Sequence, residues 1–159
     1  MGKSVNSDRR TNIDDCLELR GISSGSPLNR EDYQKIVDYT RSAINYRRSV
    51  SVLIKDIPMG RGYFFKKVIM LPKWLEKHNK LFGVYYVIHE LTHCLVGVKH
   101  NQNFARMEDY LLGLWDIRIV RNKAYPKKII HRGVEINIIP FTSDQYAKFA
   151  CNAGMGEGK

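Results

Sequence analysis

Residues His89-Glu90-Leu91-Thr92-His93 read H-E-x-x-H, a spacing that can assemble a metal site on one turn of helix. Positions i and i+4 share a helix face, so His89 and His93 can direct two imidazoles at one ion. Glu90 lies about 100° round from His89, within reach of a water bound to that ion. Two neutral nitrogen ligands beside one carboxylate are what zinc-assisted hydrolysis requires. Zn2+ is therefore the expected cofactor, with His89 and His93 as ligands and Glu90 as the catalytic base.

The flanks point the same way. Between Tyr85 and Val98 no proline intervenes and no charge other than Glu90, so the segment reads as a mostly buried helix. Buried polar groups without partners cost several kcal/mol, and a metal supplies a partner for the histidines. A catalytic zinc takes three protein ligands and keeps a fourth position for water. His100, seven residues after His93, is the leading third candidate, with Gly97 between them to let the chain leave the helix and turn back. Glu108 or Asp109, on the following helix, is the alternative. The oxyanion stabiliser has only weak candidates, Tyr125 and His131. His78 lies in a charged stretch and reads as solvated, Cys94 as a core residue, and Trp74 and Trp115 as packing.

The elements that must position these residues are legible in outline. A polar stretch covers residues 1–12, and Gly21 to Pro27 is a Ser/Gly-rich linker. A helix from about Asn29 to Arg47 opens on an Asn cap. Ser49 to Ile57 alternates as a strand, Tyr63 to Leu71 is a second β-favouring run, and Pro72 to His78 suits a short helix. The motif helix spans about Leu81 to Val98. Phe104 to Arg121 carries a helical apolar stripe, and Lys127 to Ile130 and Val134 to Ile139 form two strands around a turn at His131-Arg132-Gly133. The fold class expected is α+β: a single zincin-like domain with a small, mostly antiparallel sheet packed on the active-site helix and flanking helices. Residues 29–150 would form that domain, residues 1–28 a flexible N-terminal segment and residues 151–159 a flexible tail.

Composition agrees with one globular domain. The chain has 159 residues, 43% hydrophobic and 26% charged, enough for a core without staples. Three cysteines without a C-x-x-C pair argue for a reducing compartment, and with neither a signal peptide nor a membrane span in evidence the expected location is cytoplasmic. A net charge of +10 raises the prospect of DNA or another acidic partner, but no nucleic-acid motif accompanies it.

The run Val87-Ile88-His89-Glu90-Leu91-Thr92-His93, a short turn containing Gly97, and then His100-x-x-x-Phe104 resembles the SprT/Spartan-like and WLM-type zinc metallopeptidases. The resemblance covers about residues 63 to 117. It implies zinc held by His89, His93 and His100, Glu90 as general base, protein or peptide substrates, and a link to nucleoprotein. Gly97 and His100 each fall one position later than in metzincins, which excludes a strict metzincin. The function expected is a zinc-dependent metallopeptidase. The alternative is a basic nucleic-acid-binding protein whose zinc is structural or vestigial.

Overall fold

The computed structural model describes residues 12–22, 27–122 and 125–138. Its centre is helix α3, Lys80–Val96, against which two further helices and strands of both sheets pack. Asn79 caps α3 by accepting from the Leu81 amide at 2.7 Å, and Gly97, at φ 107°, ends it. All residues from Leu81 to Cys94 are buried, as expected of a helix apolar on all sides.

Two helices precede it in the chain. Helix α1, Asn12–Leu19, places Ile13, Cys16 and Leu17 on one face, and all three are fully buried. This corrects the expectation of a flexible segment across 12–22: a short apolar stripe among charges is enough to dock the helix. Arg20 reinforces the docking, donating to the Leu114 carbonyl at 2.6 Å with its guanidinium 4.8 Å from the Trp115 ring centre. Helix α2, Arg30–Ala43, begins with a capping box between Asn29 and Asp32 and buries Tyr33, Ile36, Val37 and Thr40. It stops short of the expected Arg47 because the Ile44 amide turns back to Arg41 and Asn45 takes φ 59°.

Strands β1 (Ser51–Lys55), β2 (Arg61–Tyr63) and β3 (Val68–Pro72) form one sheet in the order β1-β3-β2. β1 runs parallel to β3, and β2 runs antiparallel to it. The expected single strand over Tyr63–Leu71 is thus a hairpin. Its turn closes where the Lys67 amide reaches the Tyr63 carbonyl and Lys67 adopts φ 55°. A short 3-10 helix, Lys73–Lys77, leads into α3.

Helix α4, Gln102–Gly113, is capped by Asn101 and ends well before the expected Arg121. Asp116 at φ 59° turns the chain into β4 (Ile117–Asn122), which pairs with β5 (Tyr125–His131), itself paired with β6 (Val134–Asn137). The apolar stripe that suggested continuous helix belongs partly to β4, whose Ile117 and Ile119 are buried by alternation. The architecture is α+β with two three-stranded sheets, and three of the four strand pairings are antiparallel. One core runs from Ile13 through Trp115 to Ile138. Residues 1–11 and 139–159, which include the expected tail and Ile139, lie outside the described residues. Among those described, no helix is long and apolar enough to cross a membrane.

Candidate metal centre

The helical repeat brings His89 and His93 onto one face of α3, their ring centres 5.0 Å apart. Gly97 then reverses the chain, and the loop that follows carries His100 back over the same face, 5.3 Å from His89 and 4.6 Å from His93. One nitrogen from each of the three rings can be chosen so that all lie within 4.8 Å of one another. Phe104, 2% exposed, packs against all three rings at 4.5–5.1 Å.

Hydrogen bonds fix two of the rings in the tautomer a metal needs. His93 donates from Nδ1 to the Gly97 carbonyl at 2.9 Å, and His89 donates from Nδ1 to Glu108 Oε2 at 2.6 Å. Each leaves an Nε2 lone pair unengaged by the backbone, the arrangement usual for a metal-bound imidazole. His89 Nε2 and His100 Nε2 are 3.3 Å apart. Two nitrogens on a tetrahedral zinc, each at about 2.0–2.1 Å, stand roughly 3.3–3.4 Å apart, so the His89–His100 pair matches that ion.

The electrostatics favour neutral imidazoles at His93 and His100. Burial, and then the charge of His89, hold His93 down at about 3 and His100 at about 4. Burial opposes charge on His89 too, but the charge and hydrogen bond of Glu108 outweigh it and raise its pKa. Glu108 is lowered overall: burial pushes it up, while His89 and Arg121 more than compensate. Glu90 is 2% exposed, and burial, with the charge of Glu108 adding to it, lifts its carboxyl to about 7. The charge of His89, and after it Arg61 and the Gly62 amide, which donates to the Glu90 side chain, work against that rise.

The alternative third ligands are placed differently. Glu108 is buried but already engaged by His89 and by Arg121, which donates to its Oε1 at 2.8 Å. Asp109 is exposed and pairs with Arg121 at 2.9 Å. His131 stays away from the cluster, on β5 opposite Ile117, donating to the Asp116 carbonyl. The Tyr125 side chain lies outside the described residues. His78 departs from its expected solvation: it is half-buried against Trp74 and Phe82, and burial lowers its pKa. Cys94 is a core residue, its thiol pushed up to about 12 by burial. A surface cavity of about 850 Å³, lined by Gly113, Asp116, Arg118, Ile130 and Arg132 among others, contains none of the three histidines.

Two glycines and one arginine escaped the sequence reading. A methyl group on Gly62 would overlap the Glu90 carbonyl oxygen and sit 3.1 Å from His93 Cβ, so only glycine lets β2 lie this close to α3. The Gly60 amide donates to the Tyr86 hydroxyl at 2.8 Å, and a Cβ there would meet that ring at 2.6 Å. The paired glycines around Arg61, inside a β-favouring region, were the available signal. Arg121 had none, because its contact with Glu108 joins separate elements.

No protein-family model matches this chain, and no curated protein matches it. Among solved structures it is similar to the metallopeptidase zymogen abylysin of Pyrococcus abyssi, at 24% identity over 48% of this chain and 76% of that one, with a TM-score of 0.44. A likeness of that extent adds no weight to the functional reading, which stands on the site.

Proposed function

We propose that this chain is a zinc-dependent metallopeptidase of the SprT/Spartan-like or WLM type, with His89, His93 and His100 as the zinc ligands. The observation that carries the reading is the convergence of three histidines on one point beside the buried Glu90. Zinc held there would lower the pKa of water towards about 7 and polarise a peptide carbonyl. Glu90 takes the proton as water adds to that carbonyl, and returns it to the leaving nitrogen as the C–N bond breaks. Phe104 closes the inner side of the histidine cluster and Glu108 keeps His89 oriented.

Sheet edges support a peptide substrate. The outer edge of β1 is blocked, because Gln34 hydrogen-bonds both the Val50 carbonyl and the Val52 amide, and Arg30 reaches the Val52 carbonyl. β2, at the other edge, has no further strand beside it among the described residues and lies against Glu90 and His93. An extended peptide adding to β2 would bring its main chain to the histidines.

The rival reading, a basic nucleic-acid-binding protein with structural zinc, draws on the +10 charge. It gives no reason to bury Glu90 beside the histidines. Nucleoprotein substrates and a cytoplasmic location belong to the proposal, the latter suited by the free thiols of Cys16 and Cys94. Cleavage of an unfolded protein with zinc present tests it: Glu90→Gln and His100→Ala should each lose most activity. Equal cutting by wild type and Glu90→Gln would end the catalytic assignment.

A further inference from the structure

We infer that Arg61 makes β2 selective for extended peptides with an acidic side chain beside it and an apolar or aromatic one two positions away. The inference rests on the peptidase reading and supplies its substrate class. Gly62 points at α3, since its missing side chain would fall on Glu90 and His93. Strand alternation then directs Arg61 and Tyr63 to the opposite, outward face. Their partners across β3 on that face are Met70 and Val68, which are apolar.

Arg61 is exposed and forms no ion pair with any described residue. Tyr63 beside it is half-buried, with the Lys66 ammonium 5.5 Å from its ring centre. No Asp or Glu occurs between Gly60 and Met70. The outward side of the edge strand is therefore cationic and apolar, with no carboxylate in its own hairpin. Side chains directly opposite on paired strands stand about 4.5–5.5 Å apart at Cβ, close enough for a charge pair. A substrate strand on β2 would place one outward side chain beside Arg61 and the next outward one beside Tyr63. The residue between them would face the histidines and Glu90.

Binding can be read without turnover, using Glu90→Gln protein and two fluorescein-labelled twelve-residue peptides repeating Thr-Glu-Thr-Val or Thr-Lys-Thr-Val, which set the charged and the apolar side chain two positions apart on one strand face. Fluorescence anisotropy should show the Glu-containing peptide binding about two- to fivefold more tightly, the size of one cross-strand charge pair. Adding Arg61→Glu should reverse the preference, and Arg61→Gln should flatten it. Lys55→Glu makes the same change in net charge on β1, two strands away, and should leave the ratio as it was. An unchanged ratio in Arg61→Glu, an equal shift in Lys55→Glu, or no binding of either peptide would overturn the inference. Failure of the peptidase reading is separately visible, as absence of cleavage by the wild type.

Discussion

Glu108 holds His89 through a 2.6 Å hydrogen bond from the imidazole Nδ1 to Oε2, and Glu108 is itself held by Arg121 at 2.8 Å. Three elements, α3, α4 and β4, thus converge on the orientation of one candidate ligand. Carboxylate partners of metal-binding histidines typically set metal affinity by about 10–100-fold. Glu108→Ala should weaken zinc binding by about that factor in competition against a chelator. Arg121→Ala should weaken it less, since Glu108 keeps its bond to His89. Unchanged affinity in Glu108→Ala would mean that Glu108 does not position His89 for the metal.

Gly62 is where the edge strand touches the helix. Gly62→Ala forces a methyl into the Glu90 carbonyl, and overpacking of this kind costs about 1–3 kcal/mol. The urea midpoint should fall, and kcat/KM should fall further than stability alone explains, because β2 must back away from Glu90. Gly113→Ala, where a Cβ meets nothing within 4 Å, is the control and should change neither.

Metal-free protein should lose stability through Glu90 as pH rises. The folded carboxyl titrates at about 7, above its ordinary 4.5, so between those values the folded state keeps a proton that the unfolded state releases. The loss over that window is about 3 kcal/mol as an order of magnitude. His93 and His100 act in the opposite sense: their folded values of about 3 and about 4 lie below 6.5, so stability present above pH 6.5 is lost on acidification through that range. Urea unfolding with chelator present, compared between wild type and Glu90→Gln, isolates the carboxyl. Parallel pH profiles for the two proteins would contradict the assignment.

Helix α1 makes a simpler prediction. Leu17 is fully buried and Leu19 is 76% exposed. Leu17→Ala should cost about 2–5 kcal/mol and Leu19→Ala less than about 0.5 kcal/mol, measured by chemical denaturation. Equal small effects would mean that α1 does not belong to the core.

Much of the site could be read along the chain because its logic is local. His89 and His93 are one helical turn apart, Glu90 is adjacent, and Gly97 and Asn101 mark where α3 stops and α4 begins. The rest depended on contacts that sequence separation conceals. The stripe from Phe104 onwards looked helical beyond Gly113 because isoleucines spaced for a strand also fit a helical repeat over a few residues. The run at Tyr63–Leu71 hid a turn because Lys67, without a Gly or Pro beside it, takes the left-handed conformation.

Along the chain stood the candidate donors: two imidazoles one turn apart, a carboxylate between them, and for the third position an imidazole within one loop or a carboxylate of Glu108 or Asp109. Their chemistry follows from residue type and helical geometry, which need no distant partner. Tertiary structure decided how those donors are held. It drew Glu108 behind His89 instead of leaving it as a rival ligand, set Arg121 behind Glu108, and laid Gly62 against Glu90. Those choices join residues 13 to 28 positions apart, and only the packing of α3 against α4 and β2, and of α4 against β4, brings them together.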